Sequence, residues 1–292
     1  MIVITAPTSN ISRQVLDRLL PTREPVRVIA RDASRLPGPA LAQVEVVEGS
    51  HSEAAIVQRA FEGADTVFWL VPPNVHATSA QAAYVDFSRP AVQAIRDQGV
   101  RRVVVVSGLG RGSPLASDAG LITASLAMED LIASTGVAVR ALTLPSFMDN
   151  IARQAASIRQ DGIFFSPIDG DLQLPACASR DIAATASTLL LDASWEGQGR
   201  LAVLGPEDLS YDDMARIMSE VLGKPVRHQQ ISYEDHKAGF LGFGMSEAMA
   251  KGMADMYAAK NAGIDKVELR TPGNTTPTSF RQWCVEALKP LI

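Results

Sequence analysis

Residues 2–13 read IVITAPTSNISR: four apolar or β-branched residues, a short polar turn, then the opening of an amphipathic segment. IVIT predicts a strand, and Ile11, Val15 and Leu19 recur at i, i+4 and i+8, which puts them on one face of a helix. A strand that enters a helix through a tight turn is the first half of a β-α-β unit. Further strand candidates follow at VRVIA (26–30), VEVVE (44–48), TVFWLV (66–71), RVVVVS (102–107) and VAVRALT (137–143). They are near-continuous in Val and Ile, as strands buried on both faces are. Helical patterns over roughly 53–62, 80–98 and 121–134 separate them. The alternation predicts an α/β fold: a doubly wound parallel sheet with right-handed crossovers and strands ordered 3-2-1-4-5-6.

Past residue 145 helices dominate, with candidates at 148–160, 180–192, 210–222, 233–241, 245–261 and 277–289. Ser210 with Asp213 three residues on is a capping-box variant, and Gly223 stands where a C-terminal capping glycine belongs. Thr276-Pro277 reads as an N-cap followed by proline at the first helical position. Short strands are expected near 201–204 and 226–231. The expected organisation is a nucleotide-binding type of domain over 1–150 and a small, mainly helical substrate-side subdomain over 151–292, one continuous unit. The subdomain is expected on the carboxyl edge of the sheet, where open α/β sheets bind ligands. The methionines from 245 to 256 recur at helical spacing, as ordinary core does, while LGFGM (241–245) interrupts the helix with glycines beside them, as a flap over an apolar pocket would.

The 292 residues are 47% hydrophobic and 20% charged, with a net charge of −5. That balance excludes a disordered chain and argues against a nucleic-acid partner, which calls for a basic footprint. No apolar run approaches the ~20 residues of a membrane span. MIVITAP carries no basic leader, so a cytoplasmic address is expected. Two cysteines make no disulfide framework, and histidines 51, 76, 228 and 236 have no metal-site spacing, so no metal is expected.

A strand–turn–helix opening that holds a dinucleotide normally carries G-x-x-G-x-x-G-type spacing, for the tight turn, the close approach of backbone to pyrophosphate and the helix–strand contact. Here Ala6, Ser9 and Ser12 stand at those three positions. A residue with a Cβ disfavours positive φ by roughly 1 kcal/mol or more, so the turn must relax or carry strain. At Ser9 the side chain either blocks a phosphate or hydrogen-bonds it. The helix N-terminus keeps its dipole and remains an anion site in either case.

The segment resembles the T-G-A-T-G-x-I-G-R pattern of the NmrA-like family, atypical short-chain dehydrogenase/reductases, with Thr8, Asn10, Ile11 and Arg13 matching. VIARD (28–32), VEVVEGS (44–50, with Ser50 for the family's aspartate), FWLVPP (68–73), VRRVVVVSGLG (100–110), LTLPSFMDN (142–150), RDIAATA (180–186) and GPEDLSYDDMA (205–215) resemble further landmarks in the same order. The resemblance implies a Rossmann-type domain and NAD(P)(H) as cofactor. It places cofactor contacts at Ala6, Thr8, Ser9, Asn10, Ile11, Arg31, Val71, Pro72, Ser107, Pro145 and Phe147. Arg31 follows the second strand, where an acidic residue reads the ribose 2′-OH of NAD and a basic one favours a 2′-phosphate.

In short-chain dehydrogenases a Tyr-x-x-x-Lys pair on one helix face moves the proton and anchors the ribose. Aligning AMEDL (127–131) with the family puts Leu121 and Ser125 at those positions, so Tyr–Lys carbonyl reduction is not expected. The remaining catalytic candidates are Ser107, in the family's catalytic-serine neighbourhood, His76 on the loop past Pro72-Pro73, and Tyr84, with Asp149 and Asn150 similarly placed. Three functions stay open. One is an NAD(P)H-dependent oxidoreductase for a flat, weakly polar small molecule such as a quinone or aromatic metabolite. Another is a tailoring enzyme of oxygenase, isomerase or cyclase type that has lost hydride chemistry. The third is a non-catalytic nucleotide sensor. Monomer and homodimer are both compatible.

Overall fold

Ile2–Thr5 forms β1, buried along its whole length, and turns at once into α1 (Asn10–Leu19), whose buried face carries Ile11, Val15, Leu16 and Leu19. The computed structural model describes residues 1–292. The chain continues through β2 (Val26–Ala30), α2 (Gly38–Leu41), β3 (Glu45–Glu48), α3 (Ala54–Phe61), β4 (Thr66–Trp69), α4 (Phe87–Asp97), β5 (Arg102–Gly108), α5 (Leu121–Ala133) and β6 (Ala138–Leu144). β7 (Ser146–Phe147), α6 (Asp149–Ala152), α7 (Ala155–Asp161), β8 (Ile163–Ser166), β9 (Leu174–Cys177), α8 (Ser179–Leu191) and β10 (Gln198–Ala202) follow. The last elements are β11 (Asp208–Leu209), α9 (Tyr211–Leu222), β12 (Arg227–Gln230), α10 (Tyr233–Gly242), α11 (Glu247–Asn261) and α12 (Phe280–Trp283).

Two contact units interleave along the chain. The first comprises Met1–Ser107, Ala124–Thr143 and Ile182–Leu201; the second comprises Gly108–Thr123, Leu144–Asp181 and Ala202–Ile292. The first holds a seven-stranded sheet ordered β10-β6-β5-β4-β1-β2-β3, which is the expected 3-2-1-4-5-6 order with one strand added at the β6 edge. β1 pairs in parallel with β2 (Ile2↔Val26) on one side and with β4 (Ile2↔Thr66) on the other. Strand order reverses at β1, so the crevice beyond the carboxyl ends of β1, β2 and β4 is the topological switch point. Under the sheet, Phe61, Val67, Trp69, Val103, Ile132 and Val139 belong to one continuous core.

The segment expected as one helix over 80–98 divides into a π-helical turn, Ala82–Asp86, and α4, with Pro90 inside the helix. Proline has no N–H to give to the preceding turn and its ring crowds the carbonyl four residues back, and the wider turn absorbs the misfit.

In the second unit, β11, β9 and β7 form one small sheet and β12 and β8 another. Its core gathers Ile158, Phe164, Met218, Phe280, Cys284 and Leu288, none of them exposed. The box at α9 forms in full: Ser210 Oγ accepts from Asp213 N–H, Asp213 reaches back to Ser210 N–H, and Gly223 closes the helix at φ +71°. Three expectations need correction. The helix expected over 148–160 is two pieces, α6 and α7. The strand expected near 201–204 lies earlier, at β10. The last helix is capped by Ser279, which accepts from Gln282 N–H at 3.1 Å, and not by Thr276. Thr276 is already engaged, giving its N–H (2.7 Å) and hydroxyl (3.0 Å) to the Leu204 carbonyl. No helix is long and apolar enough to cross a membrane.

Candidate functional site

The switch-point crevice is built on Thr5. Its buried hydroxyl lies 3.1 Å from the Phe68 carbonyl and 2.9 Å from the Leu70 carbonyl, and its oxygen accepts from Leu70 N–H at 2.9 Å. The end of β1 is thereby tied to the end of β4 before the turn begins. Ala6 then adopts φ +49°, the left-handed region a glycine would occupy freely. Ser9 N–H closes the turn on the Ala6 carbonyl at 2.9 Å. Ser9 itself stays extended (φ −72°, ψ 157°) and turns its hydroxyl oxygen to Ser12 N–H at 3.3 Å, capping α1. Ser12 is fully buried, and its hydroxyl has no hydrogen-bond partner. The three missing glycines therefore have three outcomes: strain held at Ala6, a side-chain cap at Ser9, and a buried orphan hydroxyl at Ser12.

Over this turn lies a cleft of about 610 Å³. Its walls are the turn (Ala6 to Ser9), the end of β2 and the residues after it (Ile29 to Asp32, and Arg35), the loop after β3 (Gly49 to Ser52), the loop after β4 (Pro72 to Val75) and Phe87. Gly49 is held at φ +143°, and a Cβ there would meet Ile56 at 2.5 Å, so the loop after β3 requires glycine. A smaller hollow of about 380 Å³ lies among Pro7, Thr8, Asn10, Arg13, Arg35 and Pro37.

The charges at the cleft favour an anion. Arg13, Arg31 and Arg35 are exposed, and no carboxylate forms a salt bridge with any of them. The neighbouring carboxylate, Asp32, is bound locally: it accepts from the Ser34 hydroxyl (2.6 Å) and Ser34 N–H (3.0 Å). That hydroxyl first, then the amide and nearby Arg35, hold its pKa below the usual carboxylate value. Deeper in the wall, His51 lies 5.2 Å from the Trp69 ring and 4.7 Å from Phe87, both edge-on. Burial pushes its pKa down to about 4, against the opposing hydrogen bond to Leu70.

Of the residues expected to hold a cofactor, Ala6, Thr8, Ser9, Arg31 and Pro72 line the cleft, and Asn10 lines the smaller hollow with Thr8. Ile11 and Val71 are turned into the core instead, 6% and 7% exposed. Ser107, next to last in β5, belongs to the first unit, while Pro145 and Phe147 belong to the second. The Ser107 hydroxyl donates to Glu129 at 2.8 Å, and Arg200 Nε donates to the other carboxylate oxygen at 2.5 Å. His76 is exposed on the loop after β4, its N–H bonded to Asn74. Tyr84 packs on the core, and burial raises its pKa to about 12. None of the three proposed catalytic side chains lines the cleft. Arg13, Arg35, His51 and Phe87, which do line the two hollows, were not picked out as site residues from the sequence. Arg13 had the one usable signal, as the last residue of the turn motif.

The sequence profile of the NmrA-like family matches residues 1–277. The chain belongs to the NmrA-like family. Among its relatives is the NAD(P)H azoreductase of Xenophilus azovorans, 28% identical over 258 residues, 88% of this chain and 86% of that protein. The NmrA-like chain also superposes on the triphenylmethane reductase of Citrobacter sp. complexed with NADP(H), at TM-score 0.79 and 22% identity, covering 99% and 100% of the two chains. It superposes equally well on the NADPH-dependent quinone oxidoreductase of Escherichia coli complexed with NADPH (TM-score 0.79, 21% identity, 100% and 99% covered). These two likenesses establish the fold. Within this NmrA-like fold, Leu121 and Ser125 stand at the start of α5, 6% and 8% exposed.

Proposed function

We propose that this NmrA-like protein is an NAD(P)H-dependent oxidoreductase that prefers the 2′-phosphorylated cofactor and reduces a flat, weakly polar acceptor such as a quinone or another conjugated aromatic molecule. The observation that carries the reading is the cleft at the switch point, with a glycine-like turn made without glycine and with Arg31 and Arg35 in its wall, Arg13 in the adjoining hollow, all three free of carboxylate salt bridges. The residues fit a dinucleotide. Ala6 takes the left-handed conformation that brings backbone to a pyrophosphate. The Ser9 oxygen accepts from its own helix yet keeps its O–H to give to a phosphate oxygen. The first turn of α1 adds its dipole. Arg31 at the end of β2, with Arg13 and Arg35 across the smaller hollow, supplies fork-shaped donors suited to a phosphate. Asp32, bound to Ser34, does not take these arginines away.

Bound there, the nicotinamide would supply a hydride. The chain's own contribution is to bind and orient, because the α5 positions of a proton-donating tyrosine and its lysine hold Leu121 and Ser125. An acceptor whose reduced form spreads its charge over a conjugated system needs least help from a protein acid. The names of the related azoreductase and of the structurally similar dye and quinone reductases describe acceptors of that kind.

Isothermal calorimetry with NADPH, NADH, NADP and NAD tests the cofactor reading. Tight binding of NADPH is expected, and Arg31→Ala and Arg35→Ala should each weaken it about tenfold while changing NADH less. Absence of binding by all four at millimolar concentration would refute the proposal.

A further inference from the structure

We propose that His51 reads the nucleobase of the bound dinucleotide, its ring Nδ1 accepting a hydrogen bond from the exocyclic amine of adenine, a role that rests on dinucleotide binding in this cleft. The tautomer is fixed by a neighbour. His51 Nε2 lies 3.2 Å from the Leu70 carbonyl oxygen. A carbonyl only accepts, so Nε2 carries the proton and Nδ1 is left with a lone pair. Nδ1 has no partner and, unlike the sealed ring nitrogens of His228 and His236, is not shut off from solvent.

The ring is held firmly enough to discriminate. It is 8% exposed, wedged edge-on against Trp69 and Phe87, and it forms part of the cleft wall on the loop after β3. The His51 backbone follows β3, but the ring reaches across the strand ends to the Leu70 carbonyl, the atom that also accepts from Thr5 where the phosphate turn begins. A dinucleotide with its pyrophosphate over the turn and its ribose toward Arg31 brings its base against the cleft wall between the loops after β3 and β4, where the ring lies. Ser50 occupies the position of an acceptor carboxylate in the family pattern, but its oxygen is already engaged by the Ser52 hydroxyl (2.8 Å) and Ser52 N–H (3.2 Å). The imidazole nitrogen is an acceptor on this loop that no protein group occupies.

An acceptor at this point distinguishes adenine from hypoxanthine, which carries a carbonyl oxygen where adenine carries its amine and so sets acceptor against acceptor. The test is calorimetric: NADPH against nicotinamide hypoxanthine dinucleotide phosphate, reduced form, with the wild-type protein and His51→Leu, folding of the variant being checked by circular dichroism. The wild type is expected to bind the hypoxanthine analogue about tenfold more weakly, the scale of one hydrogen bond lost. His51→Leu should bind the two alike. Wild-type affinities within twofold of each other, or a variant that keeps the tenfold difference, would overturn the assignment. The wild-type comparison stands even if the variant does not fold. Failure of the wild type to bind either molecule is a separate result: it removes dinucleotide binding itself, and base reading with it.

Discussion

Ala6 holds φ +49° where most chains with this turn would place glycine, and the conformation costs an L-residue with a Cβ roughly 1 kcal/mol. Ala6→Gly should therefore raise stability by about 0.5–1 kcal/mol, and in a chain of this size the thermal midpoint by about 1–4 °C. Differential scanning fluorimetry against Ser9→Gly, which gains no such relief because Ser9 is extended, checks the direction. A lower midpoint for Ala6→Gly would mean the turn is not strained. His51 supplies a second single-residue outcome. Its folded pKa lies near 4 against 6.5 for a free histidine, so the unfolded chain takes up the proton first. The contribution is fully present above pH 6.5 and is lost as pH falls towards 4, amounting to about 3 kcal/mol over that window. Urea midpoints of the wild type should drop over that range and those of His51→Leu should drop less; equal slopes would contradict it.

At the scale of elements, what was legible in the sequence was whatever depends on neighbours along the chain. The strands from β1 to β6 and the box at α9 follow from local apolar runs and from Ser210 and Asp213 three residues apart. Ser210→Ala should cost about 1 kcal/mol in chemical denaturation, the usual worth of an N-cap. Thr276-Pro277 satisfied the same local rule and failed, because the hydroxyl and N–H of Thr276 are drawn to Leu204, 72 residues away. The site divides along the same line. Ala6, Thr8 and Ser9 were legible through motif spacing, whereas His51, Phe87 and Arg35 reach the hollows only because strand order places β3, β2 and β4 around β1. The Lys260–Asp265 ion pair is local, five residues apart, but its burial was not legible from that spacing: it is almost fully buried at 2.5 Å and leaves one carboxylate oxygen without a partner. Lys260→Met should cost about 3–5 kcal/mol, since it strands a buried charge; a loss below 1 kcal/mol would show that the carboxylate finds another partner.

For the whole molecule, the absence of tyrosine and lysine from α5 bears on chemistry more than on fold. General acid–base help is worth ~10²- to 10⁴-fold in rate. On the proposed function, a reductase that lacks that helix pair should retain acceptors that stabilise their own reduced form and lose those that need a proton delivered. The buried Ser107 does not replace the pair, as its hydroxyl is given to Glu129. The most direct measurement is the ratio of kcat/KM for NADPH oxidation with a simple quinone to that with an unconjugated ketone, under the same conditions. The proposed chemistry predicts a quinone preference of at least about 100-fold; comparable turnover of the two, at rates ordinary for a reductase that has its proton donor, would contradict it.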